Sequence, residues 1–226
     1  MKRVSIAVIA VMISGAAALA APAPSRIRGT ISSVSASGIV VHTADGNNLP
    51  ISLTGTTKYL EVVKSNLDKV ETGSYIGTAT KNIGSTLVAL EVVVFPPALK
   101  GIGEGHYSWD KIRDTTLSGS AATASTMTNG NVAAVAAASS AVNSTMTNGN
   151  VASASNTNGV KTLTVTYNGG QQTILVPPTA PIVTFRPATQ ADLTKGTKVF
   201  IQANINGGTA TAGLVAVGMN GLRPPM

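Results

Sequence analysis

The sequence predicts an all-β chain of two tandem small closed barrels, and three observations carry that expectation. The second half repeats the first. Gly73-Ser74-Tyr75-Ile76 through Val94 lies on Gly196-Thr197-Lys198-Val199 through Val217 without a gap, which places Gly84 on Gly207, Thr86 on Thr209 and Val92 on Val215. Within each copy, apolar and polar residues alternate in short runs bounded by Gly, Asn and Asp, the pattern of strands with one buried face. Finally, the 226 residues include no cysteine. Packed cores and strand pairing must then supply the stability, and closing each sheet removes edges that invite aggregation.

The first unit spans residues 26–95. Ile27, Ile31 and Val34 sit among Arg, Thr and Ser as on a half-buried strand. Gly38 opens the β-branched run Ile39-Val40-Val41-His42-Thr43. Ala44-Asp45-Gly46-Asn47-Asn48 supplies residues that tolerate positive φ or bond their own backbone, so it is a turn. Leu49-Pro50-Ile51-Ser52-Leu53 returns as the hairpin partner. Pro50 has no N–H to donate, which places it on an unpaired side or near a strand start. Ser65-Asn66-Leu67-Asp68-Lys69-Val70 reads as one helical or 3₁₀ turn with a polar N-cap. Tyr75 to Lys81, the hairpin Asn82 to Ser85, and Thr86 to Val94 close the unit.

The second unit, residues 149–218, repeats this order. Gly149-Asn150-Val151 stands where Gly29-Thr30-Ile31 stood. Lys161 to Tyr167 alternates with a period of two, Asn168-Gly169-Gly170 turns, and Gln171 to Val176 pairs back. Gln190-Ala191-Asp192-Leu193 repeats the helical turn. Lys198 to Asn204, Asn206-Gly207-Gly208 and Thr209 to Val217 form the last hairpin, before a tail at 219–226. About five short strands per copy, with a helical turn before the fourth, suit an OB-like barrel. A small open sandwich is the rival.

Between the units, Thr115 to Val160 contains no charged residue and is rich in Ala, Ser, Thr and Asn. Residues 115–148 read as a low-complexity linker. Its nonapeptide Ser125-Thr126-Met127-Thr128-Asn129-Gly130-Asn131-Val132-Ala133 recurs identically as Ser144 to Ala152. The second copy runs into the first strand of unit two, leaving the first as a spare strand-like segment. Ala133 to Ala141 also suits a short helix, because alanine has the best helix propensity. Sequence leaves helix, paired strand and disorder all open here.

Residues 1–20 read as a secretory signal peptide. Lys2 and Arg3 precede the apolar stretch Val4 to Ala18, and Ala18-Leu19-Ala20 is a small-x-small cleavage site. No cysteine is present to carry a lipid. The expected product is periplasmic, not a lipoprotein and not membrane-spanning after cleavage. Loss of Lys2 and Arg3 takes the formal charge from +7 to +5. The remaining basic residues are scattered singly, as on a solvated surface with weak attraction to anionic envelope polymers.

Arg26-Ile27-Arg28-Gly29-Thr30-Ile31, the Asp-Gly hairpin, the turn before Gly73 and Phe95-Pro96-Pro97-Ala98-Leu99-Lys100-Gly101-Ile102-Gly103-Glu104-Gly105-His106 together resemble a family of exported bacterial proteins of unknown function. Thr126-Met127-Thr128-Asn129 and the Val176-Pro177-Pro178 to Phe185 stretch extend the likeness over most of the mature chain. The resemblance implies OB-like β-barrel domains. The family's motifs are turn glycines and strand alternation, so it implies architecture rather than chemistry. The duplicated nonapeptide and the long uncharged segment depart from it.

The densest chemistry lies in the Gly/Trp-containing loop, residues 96–114. Gly101-Ile102-Gly103-Glu104-Gly105-His106-Tyr107-Ser108-Trp109-Asp110 holds the one Trp, one of two histidines and two carboxylates. Glu104, His106, Tyr107, Trp109 and Asp110 are the candidate ligand- or partner-binding residues. Glu104, His106 and Asp110 are the candidate metal ligands. The competing role for Tyr107 and Trp109 is to plug the seam between barrels, with the glycines making turns. Gly101-x-Gly103-x-Gly105 lacks the spacing and the strand–turn–helix unit of a dinucleotide fingerprint. Ser108-x-x-Lys111 lacks the companion motifs of penicillin-recognising enzymes, and Ser108 has no evident base. Aromatics make up 4% of the chain and do not interleave with Lys or Arg, which argues against a nucleic-acid partner. The expected function is a non-enzymatic binding or structural module of the cell envelope, without a cofactor, whose partner is an envelope protein, polymer or small ligand. A periplasmic metal-handling protein is the alternative.

Overall fold

The computed structural model describes residues 24–117, 121–137 and 160–225. Among them the chain is all-β. From the first repeat come β1 (Ser25–Val34), β2 (Gly38–Thr43), β3 (Asn48–Ser52), β4 (Lys58–Lys64), β5 (Tyr75–Ile83) and β6 (Thr86–Val94). Then follow β7 (Gly105–Arg113), β8 (Ala122–Ala137), β9 (Lys161–Tyr167), β10 (Gly170–Val176), β11 (Ile182–Pro187), β12 (Lys198–Asn206) and β13 (Thr209–Gly218). The two 3₁₀ turns expected from the sequence fall where their polar caps put them. Asn66 accepts from Asp68 N before Leu67–Lys69, and Thr189 and Asp192 form a capping box around Gln190–Asp192. No helix among the described residues is long and apolar enough to cross a membrane.

The pairing closes two five-stranded rings. In the first, β1 pairs with β2, β2 with β3, β3 runs parallel to β13, β13 pairs with β12, and β12 returns to β1. In the second, the circuit runs β8, β9, β10, β6, β5 and back to β8. The expected units 26–95 and 149–218 are therefore not self-contained, because each lends strands to both rings. The first ring takes three strands from the first repeat and two from the second. The second ring is one continuous stretch lying between strands of the first. Strands of the two repeats share sequence and edge chemistry, so β1 is as suited to β12 as to β5. Periodicity alone does not distinguish these closures.

From β3 and β10 onward, one constant shift relates the halves. It carries Tyr75 onto Lys198, Leu67 onto Gln190 and Tyr59 onto Ile182. The pairs obey it too, since Val215 faces Tyr59 where Val92 faces Ile182, and Ala210 faces Ile51 where Leu87 faces Ile174. β4 and β11 carry the chain between rings. They pair antiparallel with each other, β4 runs parallel to β13, and β11 runs parallel to β6. Periodicity did not reveal these two strands. In β4, Tyr59 packs on the first ring's core while Leu60 and Val62 pack on the central one, so both faces are apolar and the alternation is lost; in β11 the alternation covers only Val183 to Arg186.

Three cores result. Ile31, Val41, Ile51, Ile201 and Val215 fill the first ring. Ile76, Val92, Leu163, Val165 and Ile174 fill the second. Between them lies a third, built on Val62, Tyr75, Val93, Val183, Ala216 and all three phenylalanines, Phe95, Phe185 and Phe200. The Tyr75 and Phe95 rings lie 5.5 Å apart, and those of Phe95 and Phe185 5.7 Å apart, in tilted contact.

The segment read as a linker over 115–148 contains β8, which pairs with β5, β7 and β9. The first copy of the nonapeptide is thus the second ring's counterpart of β1. Gly130-Asn131-Val132, not Gly149-Asn150-Val151, occupies the place of Gly29-Thr30-Ile31; the second copy lies outside the described residues. Two observations fix the correspondence. Val132 meets Val165 as Ile31 meets Val41. A Cβ on Gly130 would strike the carbonyl of Thr166, as one on Gly29 would strike that of His42. Ala133 to Ala137 is extended rather than helical, because pairing with β9 overrides alanine's local preference. Residues 1–20, read as a signal peptide, also lie outside the described residues.

Gly130→Ala forces backbone apart inside the second ring. Its expected cost is about 1–3 kcal/mol by overpacking, read as a lower midpoint in chemical denaturation at unchanged slope.

Candidate functional site

Residues 96–114, read as a loop, contain a strand. Pro97–Leu99 makes a 3₁₀ turn, Gly101, Gly103 and Gly105 take positive φ values of 89°, 62° and 142°, and β7 then runs antiparallel to β8. Positive φ at three alternate positions is accessible to glycine at little cost, so the segment turns sharply twice before becoming extended.

Side chains from three strands grip the turn. Tyr75 Oη donates to Ile102 O at 3.0 Å, Tyr107 Oη to Gly103 O at 3.1 Å, and Asn129 Nδ2 to the same Gly103 carbonyl at 2.8 Å. Asn129 Nδ2 also lies 3.1 Å from Tyr107 Oη. Gly77 makes room for Asn129, since a Cβ there would strike its Oδ1. Burial, reinforced by nearby Glu104 and Tyr107, pushes the Tyr75 hydroxyl up to about 12. Burial also raises Tyr107, against the opposing effects of Arg26 and the Asn129 hydrogen bond.

Asp110 binds two arginines from the first ring. Arg26 Nε and Nη2 donate to its two oxygens at 3.0 and 2.7 Å, and Arg28 Nη1 donates to Oδ2 at 2.7 Å. The Arg26 guanidinium lies over the Trp109 ring with its carbon 4.1 Å from the centroid, and Tyr107 packs against Trp109 at 5.9 Å. Arg28 lies 5.1 Å from the Phe200 centroid, which reaches the central core. The hydrogen bond from Arg26, partly opposed by burial and aided by Arg28, holds Asp110 at about 2, and the same pairing raises Arg26. Sequence reading missed Arg26 and Arg28 as partners of this segment. The available signal was their i, i+2 spacing, which puts both on one face of β1. Trp109 Nε1 is buried with no hydrogen-bond partner.

The proposed metal ligands point to different partners. Glu104 Oε1 accepts from Asn168 N at 2.9 Å at the β9–β10 turn. His106 Nδ1 lies 2.8 Å from Thr128 Oγ1, and its ring stacks on Tyr167 at 6.0 Å. Burial lowers the His106 pKa, so the ring is neutral near pH 7. Asp110 is held by the arginines. Among the described residues no three His, Cys, Asp or Glu side chains gather as a metal site. The arrangement also lacks an activated nucleophile. Thr128 beside His106 is fully buried, out of reach of a substrate. Ser108 is exposed on β7 without a bonded base.

A second polar cluster follows β7. Lys81 Nζ meets Asp114 Oδ2 at 2.7 Å, with Asp114 buried and Lys81 half-buried, and Thr116 donates N–H and hydroxyl to Asp114 Oδ1 at 3.0 and 2.7 Å. Burial works against ionisation of Asp114, yet the hydrogen bonds from Lys81 and Thr116 outweigh it and lower its pKa. On the first ring, Ser33, Ser35, Ser37, Pro50 and Ser52 line a shallow concavity of about 200 Å³ that shares no residue with β7. Comparison with protein-family models, curated proteins and solved structures finds no match for this chain.

Asp110→Asn removes the charge that both arginines bind. Its expected cost is about 1 kcal/mol near neutral pH, the scale of a partly exposed, multiply bonded ion pair. A depressed carboxylate stabilises the fold above its unfolded pKa of about 4 and loses that contribution as pH falls through about 2. The stability gap between the native protein and Asp110→Asn should therefore close between those pH values in acid titrations. Lys81→Met leaves Asp114 buried without its counter-charge. The expected loss is about 3–5 kcal/mol, measured by thermal or chemical unfolding.

Proposed function

We propose that the protein is an exported, non-enzymatic binding or structural module of the bacterial cell envelope, built from two OB-like barrels. The geometric support for the barrels is the strand order of the first ring, in which the first three strands form a meander, the third runs parallel to the fifth, and the fourth pairs back to the first; the second ring makes the same circuit circularly permuted, with β8, β9 and β10 as the meander and β5 and β6 closing it. The sequence support for export is the basic, apolar and small-x-small order of residues 1–20. The resemblance to exported OB-like proteins is part of the same reading.

One observation carries the non-enzymatic reading. Asp110, the acid in the densest cluster of functional residue types, is bound by Arg26 and Arg28 of the other ring, and Arg26 stacks on the single Trp. The segment works as a clasp between rings, and the face it leaves exposed, around Ile102 and Tyr107, is a binding surface rather than a catalytic cleft. Native mass spectrometry of protein released gently from periplasm tests this. The expected result is a chain beginning at Ala21 with no stoichiometric metal. An unprocessed N-terminus would sink export, and one metal per chain would sink the non-metal reading.

A further inference from the structure

Among the described residues, twelve strands have neighbours on both sides and β7 pairs with β8 alone. Toward the other described strands its outer edge is an open row of backbone donors and acceptors, the template for strand addition. The register says which groups face outward. Val132 N and O bond Ser74 and Gly73 on the β5 side. Asn129, Met127 and Ser125 therefore point their backbone groups toward β7, where they meet Gly105, Tyr107 and Trp109. His106 and Ser108 point theirs away. Beyond Trp109 a register shift interrupts the ladder, and Ser125 Oγ occupies the Asp110 carbonyl.

We infer that this edge binds a second copy of the chain, through antiparallel pairing of the two β7 strands about a two-fold axis at Tyr107. In that register His106 of each copy faces Ser108 of the other, so all four outward N–H groups and all four outward carbonyls are satisfied reciprocally. Tyr107 sits opposite its own counterpart, and Trp109 opposite the other copy's Gly105. A cross-strand aromatic pair such as Tyr107 with its counterpart stabilises a contact of this kind. The strand ends also complement one another, since Glu104 precedes β7 and Lys111 lies near its end, and antiparallel order brings each toward the other. Tyr107 and Ser108 are exposed on the free edge, and the unused Nε1 of Trp109 lies on the same strand. The inference goes beyond the envelope reading: failure of this pairing leaves export and barrel architecture untouched.

The mature protein itself is the probe. Sedimentation from about 10 μM to about 1 mM is expected to show a monomer–dimer equilibrium, with the amides of His106 and Ser108 exchanging more slowly as the dimer forms. Ser108→Pro, which removes one outward donor, should raise the dissociation constant at least tenfold while far-UV circular dichroism stays unchanged. The chain has no native cysteine, so Tyr107→Cys should give a covalent dimer on mild oxidation and Lys111→Cys should not. A monomer throughout the range with concentration-independent exchange overturns the inference. So does protection of these amides that appears only when other periplasmic proteins are added, which would assign the edge to a heterologous strand.

Discussion

Closure of each ring across the two repeats is the constraint on which the rest of the structure depends. Neither repeat finishes its own barrel here, since β1 to β3 are completed by β12 and β13, and β8 to β10 by β5 and β6. The chain must therefore cross between rings twice. The crossings become strands because an extended segment buried between two sheets can satisfy its backbone only by pairing. β4 and β11 meet this need with each other and with β13 and β6. Their inner faces, together with the three phenylalanines and Tyr75, build a core that belongs to neither ring. Each fully buried large apolar side chain there contributes about 1.5–3 kcal/mol, and disulfides contribute nothing in a cysteine-free chain.

This arrangement explains the polar groups of the candidate segment. β7 leaves the second ring along β8 and approaches β1 of the first, where Arg26 and Arg28 stand on one face. A carboxylate at Asp110 and an aromatic plane at Trp109 give those guanidiniums both a bidentate acceptor and a stacking surface. The glycine turn before β7 is fixed from Tyr75, Tyr107 and Asn129, so its backbone is held by three strands. Residue types that suggest chemistry in isolation are thus engaged in holding a turn and joining two rings.

Much of the secondary structure was legible in the sequence, because one-sided strands such as Lys161 to Tyr167 alternate and the Asp-Gly and Asn-Gly turns are local. The repeat was legible for the same reason. The partner of each strand was not, since equivalent strands offer equivalent edges. β4 escaped because apolar residues occupy both its faces, and β11 because its alternation covers only Val183 to Arg186. β8 escaped because Ala, Ser, Thr and Asn carry little hydrophobic signal, although Val132, Met127 and the close approach at Gly130 embed it in the fold. At the candidate site the aromatic and acidic members of the clasp were visible, while Arg26 and Arg28 lie far away in sequence and met them only through the topology.

The exchange itself is testable with one pair of cysteines. Thr30 of β1 faces Lys198 of β12. Because Ile31 directs its backbone groups to β12, Thr30 and Lys198 form a non-hydrogen-bonded pair, whose Cα separation of about 4.5 Å suits a disulfide. In Thr30→Cys/Lys198→Cys, mild oxidation should give a quantitative intramolecular bond in monomeric protein, with the fold retained and the denaturation midpoint raised. Two free thiols under the same conditions, with the protein folded and monomeric, would show that β1 is not paired with β12 and would contradict the exchange of strands between the repeats.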